Sequence, residues 1–197
     1  MSQGSSKRRE IAAMLEEGAR VKLALAKEKT AEIERMVSLI VTAVKAGGKV
    51  VRFGNGGSAA DAQHLAGELV GRFKLERRAL PAIALTTNTS TLTAMANDCG
   101  YETVFSRQVE ALVNEKDVVI AISTSGNSPN VIEAVKAAKK KGAGTIGLTG
   151  GSGGKLAEAA DLVITVPSND TPRIQEAHIT IGHIVCELVE RELAGTG

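Results

Sequence analysis

Two groups of residues between Phe53 and Glu68 could do chemistry together. Gly54-Asn55-Gly56-Gly57-Ser58 is a glycine turn of the kind that opens a helix, and unpaired backbone N–H groups at such a start, with the helix dipole, attract phosphate. Gly54, Gly56 and Gly57 carry no side chain to hold an anion off the backbone, and Ser58 adds a hydroxyl donor. One turn further on, His64 and Glu68 stand four residues apart, on one face of the same helix, where two side chains can share a metal ion. An i,i+4 pair of this kind also serves as an ordinary surface contact, so further ligands are needed before it counts as a metal site.

A second hydroxyl-rich loop, Ser123-Thr124-Ser125-Gly126-Asn127-Ser128, precedes Pro129, a residue suited to the first turn of another helix. One such loop could be plain turn and cap chemistry; two at one edge of a sheet make a phosphate clamp. The first turn also fits the G-x-G-x-x-A dinucleotide pattern, but that reading asks for a carboxylate after the next strand, where Thr86-Thr87-Asn88 stands instead. The Gly150-Gly151-Ser152-Gly153-Gly154 turn reads as a flexible connection.

These residues need a scaffold, and the hydrophobic pattern describes one. Strands are expected over 49–53, 82–85, 118–123, 144–148 and 162–166, alternating with helices near 58–72, 90–113, 129–141 and 153–160. The run Val118-Val119-Ile120-Ala121-Ile122 is apolar throughout, as a strand buried on both faces must be. The fold class is therefore α/β, a doubly wound five-stranded parallel sheet, whose ligands bind beyond the carboxyl ends of the strands. Two helices over 8–29 and 30–46 come first, and a long one over 172–193 closes the chain, with Ile174, Ile181, Val185 and Leu188 at helical spacing. Residues 1–6 read as a disordered start. Residues 7–197 form a single domain, divided into N-terminal helices (7–46), an α/β core (47–170) and a C-terminal helix (171–197).

Composition narrows the function. The chain has 197 residues, enough for one domain with a core, and 43% are apolar. Three Phe, one Tyr and no Trp leave little to stack on bases, and 24 basic against 22 acidic residues make no basic footprint, so nucleic acid is not expected as a partner. Cys99 and Cys186 form no disulfide framework, and no secretory signal or membrane-length apolar run appears. A reducing cytoplasm suits such a chain.

Taken together, the stretch Gly54 to His64, the loop Ser123 to Ser128, Ala96-Asn97-Asp98, Phe105-Ser106-Arg107-Gln108-Val109 and Arg173-Ile174-Gln175-Glu176-Ala177-His178 resemble the phosphoheptose isomerases of the sugar-isomerase (SIS) fold. The likeness runs from the first helices to about Glu190. It implies an isomerase that interconverts D-sedoheptulose 7-phosphate and D-glycero-D-manno-heptose 7-phosphate through an enediol, supplying heptose to cell-surface glycans. It further implies one zinc ion per subunit and a cytoplasmic homotetramer. Carried over by position, the metal ligands are His64, Glu68, Gln175 and His183. The substrate contacts are Asn55, Gly56, Gly57, Asn97, Asp98, Ser123, Thr124, Ser125 and Ser128, joined by Ser58, Glu68 and Gln175. Two His, one Glu and a neutral oxygen suit a catalytic zinc. Glu68 is the expected base at carbon and His183 the expected acid at oxygen.

Gln175 and His183 lie eight residues apart, about 12 Å along a helix axis and roughly 80° around it. Both reaching one ion from a single helix is awkward. The expected site therefore lies between subunits, with the terminal helices used in assembly. His178 reads as a satisfied core histidine. Two other functions fit parts of the pattern: a non-catalytic SIS protein of the replication-initiator-associating type, and another aldose-ketose isomerase acting on a shorter sugar phosphate.

Overall fold

The computed structural model describes residues 3–194. Helix α1 (Gln3–Glu28) and helix α2 (Thr30–Lys45) come first. On α2, Ile33, Met36, Val37, Ile40, Val41 and Val44 recur at three- and four-residue steps and are all buried, forming one apolar stripe against the sheet. The turn that ends α2 needs Gly48, because a Cβ there would lie 2.0 Å from the Lys116 carbonyl oxygen. Met1 and Ser2 lie outside the described residues. Gln3 to Ser6, expected to be unstructured, belong to α1, where the Ser6 hydroxyl donates to Glu10 one turn on.

Five strands follow: β1 (Val50–Gly54), β2 (Ala82–Ala84), β3 (Val118–Ile122), β4 (Gly144–Gly150) and β5 (Leu162–Val166). All neighbours pair in parallel, in the order β2-β1-β3-β4-β5. Every residue of β1 and β3 is buried, β3 as its unbroken apolar run requires, while β1 also buries Arg52 at its centre. Val50, Ile120, Ile146 and Ile164 join one core with α2, helix α3 (Gly57–Val70) and helix α8 (Thr171–Leu193). Val51, Phe53 and Val119 face the opposite core, with helix α5 (Ser106–Leu112), helix α6 (Pro129–Lys140) and helix α7 (Gly154–Ala159).

The chain leaves β1 through α3 towards β2 on one side, then returns to β3 on the other. This reversal opens a crevice at the carboxyl ends of β1 and β3. At the opposite edge, buried Asp117 accepts the Lys49 and Asn114 backbone N–H groups at 2.8 and 2.9 Å and pairs with the Lys49 ammonium at 2.6 Å.

One expected helix is three pieces. Residues 90–113 divide into helix α4 (Thr89–Cys99), a 3-10 turn (Tyr101–Thr103) and α5. Gly100, at φ 87°, breaks the run, because a residue in that left-handed conformation cannot continue an α-helix.

Candidate active site

The first turn folds as a seat for an anion. Gly56 takes φ 55° between β1 and α3, and the Ala59 and Ala60 N–H groups turn back onto its carbonyl. Gly54 has no room for a side chain, since a Cβ would stand 2.8 Å from the Ile122 carbonyl oxygen on β3. Ser58 is 3% exposed, packed beneath the turn. Asn55 is held by three bonds: it donates to buried Asn130 at 2.9 Å, accepts from Asn130 at 2.8 Å, and accepts from the Tyr101 hydroxyl at 3.2 Å.

The second loop closes the seat from β3. Ser123 and Ser128 hydroxyls meet at 3.1 Å, and Thr124 and Ser125 open into a polar cavity of about 190 Å³. Gly150, Gly151, Ser152, Asn169 and Thr171 line the same cavity. Sequence reasoning missed Asn169 and Thr171, whose only signal is their place at the start of α8. It also misjudged the glycine turn after β4. The Gly150 N–H donates to the Thr124 carbonyl at 3.0 Å, the Leu156 N–H to Gly126 at 2.8 Å and the Lys155 N–H to the Asn127 side chain at 3.1 Å. The turn is a packed buttress for the 123–128 loop, joined to it by these three bonds.

Helices α3 and α8 run side by side and in step. Gln175 lies against Gly57, Gly182 against Leu65, and Glu190 against the segment after α3. Gly182 makes the approach possible, since a Cβ there would fall 2.3 Å from a Leu65 methyl carbon. The crossing brings His183 to the α3 pair. His64 Nε2 stands 2.9 Å from His183 Nε2 and 3.4 Å from Glu68 Oε1, and the three ligand atoms lie within 4.8 Å of one another. The His64 and His183 rings meet edge to face, and Phe73 stacks on the other side of His183 at 5.6 Å. Two imidazole nitrogens and a carboxylate oxygen so close together fit one zinc-like cation.

The structure brings three of the four expected ligands, His64, Glu68 and His183, together. Gln175 Nε2 fills the space where a Gly57 side chain would be, 2.5 Å from that Cβ position. His183 meets His64 within one chain, since α8 packs on α3. Asn97 and Asp98 are exposed at the end of α4 and bond to each other at 2.7 Å. Among the described residues they make no hydrogen bond to the cradle.

One half-buried and one buried acid–base group stand on the helices that carry the site. Asp61, one turn before His64, is half-buried with Oδ2 unpartnered, and burial raises its pKa above the ordinary carboxylate value, against the pull of the two histidines. His178 is 1% exposed and its Nε2 bonds the Thr149 carbonyl at 3.1 Å, so that nitrogen carries the proton. Burial lowers its pKa to about 4.

Comparison with known proteins agrees with this geometry. The SIS domain family matches residues 14–150. A phosphoheptose isomerase of Citrifermentans bemidjiense is 61% identical over 93% of this chain and 96% of its own length. One from Aquifex aeolicus is 60% identical over 88% of this chain and 91% of its own. Among solved structures, the phosphoheptose isomerase of Neisseria gonorrhoeae superposes with a TM-score of 0.89 at 44% identity, covering 93% of this chain and 98% of that one.

Proposed function

The chain belongs to the phosphoheptose isomerases, within the SIS domain family, and from that premise we propose how its residues carry out the isomerisation. It is a heptose phosphate isomerase. The substrate pair is D-sedoheptulose 7-phosphate and D-glycero-D-manno-heptose 7-phosphate, exchanged by moving a proton between C1 and C2 of the open-chain sugar through an enediol. The observation that carries this reading is the meeting of His64, Glu68 and His183 beside the anion seat.

Ser123, Thr124, Ser125 and Ser128 with the N–H groups near Gly56, Gly57 and Ser58 grip the phosphate ester. Asn55, locked by Asn130 and Tyr101, presents its remaining amide proton to the sugar. Asn97 and Asp98 supply contacts to hydroxyls. Gln175, against Gly57, faces the substrate and is the fourth donor that the family resemblance assigns to the ion.

Zinc, one ion per subunit, suits the donor set, and when bound it would polarise the substrate carbonyl. Glu68 turns Oε1 towards His64 and takes the carbon-bound proton through its other oxygen. His183 gives a proton to the substrate oxygen. A homotetramer is supported by apolar side chains left at the surface: Ile11, Met14, Leu15 and Leu23 on α1, and Ile184 and Leu188 on α8. A cytoplasmic enzyme feeding heptose to cell-surface glycans is the role that the family resemblance supports. No described helix is long and apolar enough to cross a membrane.

Identity of 61% along 93% of the chain weighs against a non-catalytic binder. The test is incubation of metal-analysed protein with sedoheptulose 7-phosphate and with shorter ketose phosphates, with and without a chelator. Chelator-sensitive conversion of the seven-carbon substrate alone is expected. Faster turnover of a pentose or hexose phosphate would replace the substrate, and chelator-resistant turnover would remove the metal.

A further inference from the structure

The segment between α3 and β2 touches both helices of the site and is organised by one carboxylate. Glu190 lies seven residues beyond His183 on α8, two turns on and on the same face. It is fully buried and accepts three backbone N–H groups: Phe73 at 3.0 Å, Lys74 at 2.7 Å and Leu75 at 2.9 Å. Phe73, placed in this way, lays its ring on His183. Glu190 also pairs with Arg77 at 3.0 Å, both side chains almost wholly excluded from solvent.

Arg77 then turns its guanidinium onto the end of α3. It donates to the carbonyls of Glu68 at 2.8 Å, Leu69 at 2.9 Å and Gly71 at 3.2 Å. A helix end leaves such carbonyls without partners, and a cation there also suits the dipole. The first carbonyl in that set belongs to Glu68 itself.

We infer that Glu190 and Arg77 are positioning residues for this site: one buried ion pair fixes His183 through Phe73 and fixes Glu68 through its own backbone. Neither touches substrate. The inference rests on the reading of His64, Glu68 and His183 as the reactive cluster. The helices bearing those residues approach closely at Gly182 and, nearer their N-terminal ends, at Gly57. The ion pair adds a fixed point at the C-terminal ends of the two helices, on the far side of His183 from those approaches.

The experiment compares wild type with Glu190→Gln, Arg77→Lys, Arg77→Met and Phe73→Leu, and with Asp117→Asn as a reference. Asp117→Asn weakens an ion pair with a buried carboxylate at the far edge of the sheet without touching the site, and serves as the stability control. Three readouts are taken: cobalt(II) affinity from its visible absorption, kcat and KM for the heptose phosphate, and the imidazole resonances of the metal-free protein, which has three histidines.

Glu190→Gln and Arg77→Met are expected to lose cobalt affinity and kcat by about tenfold or more, the size of effect typical for residues that orient ligands. KM should stay within about twofold, since the phosphate seat is made by other loops. Arg77→Lys should recover part of the loss by keeping the charge without the fork. Phe73→Leu should move the His183 resonance and spare the His178 resonance. Should Glu190→Gln or Arg77→Met not fold, Arg77→Lys and Phe73→Leu still decide the matter. Unmoved His64 and His183 resonances in the folded variants, or an equal loss of cobalt affinity in Asp117→Asn at matched stability, would overturn the inference. Failure of the wild type to bind cobalt or turn over heptose phosphate would instead count against the cluster as an active site, with the resonances still reporting on the ion pair.

Discussion

In the proposed mechanism Glu68 and His183 divide the proton traffic, so each should be separable from folding. Glu68→Gln keeps the shape and removes the base, and His183→Ala removes the acid. Each is expected to lower kcat by about 10²-fold or more, the usual contribution of a positioned acid or base, with an unchanged melting temperature. Wild-type turnover in either would end that assignment. His178 makes a different prediction. Its folded pKa of about 4 lies below the unfolded value of 6.5, so the native state holds it neutral while the unfolded chain takes up a proton. Stability is therefore full above pH 6.5 and falls as pH drops towards 4, by about 3 kcal/mol. Denaturant melts at pH 7 and pH 4.5 should show this loss, and His178→Gln should flatten it. The chemistry of His64, Glu68 and the two hydroxyl loops was legible in the residue types and their spacing. The orphaned oxygen of Asp61 was not, since nothing local distinguishes a half-buried helical Asp from an exposed one.

Elements set how those residues meet. Strand and helix order followed from the apolar runs, and each expected strand formed within two residues of its limits, because parallel strands buried on both faces admit few polar residues. The 90–113 stretch misled because its polar threonines and alanines fit a helix while Gly100 alone demanded a break. The turn after β4 misled for the opposite reason: glycines suggested freedom, and the structure uses them for contact. Gly126 takes φ 66° and a Cβ there would lie 1.9 Å from the Gly153 carbonyl oxygen. Gly126→Ala should therefore part the two loops, raise KM for the sugar phosphate by about tenfold and destabilise the fold by about 2 kcal/mol, through a left-handed residue and a backbone clash. Substrate titration and thermal melts check both, and an unchanged KM would dissociate the buttress from phosphate binding.

The whole molecule leaves one apolar face of α1 and α8 at its surface, and burial of that face is what an assembly would add. Leu15, 71% exposed, is a direct probe: Leu15→Lys should shift a homotetramer to smaller species in sedimentation and lower specific activity on dilution. A wild-type monomer at full specific activity would remove the need for assembly. Amino-acid order by itself determined the α/β alternation, the glycine turn over its helix start, the i,i+4 pair and the resemblance to an isomerase family, since each is a pattern within short, contiguous segments. Tertiary structure decided that His183 meets His64 and Glu68 in one chain, that Gln175 rests on Gly57, and that Glu190 and Arg77 bind the two helices together. Those pairings span more than a hundred residues, and only the side-by-side packing of α3 and α8, permitted by a missing side chain at Gly182, fixes their register.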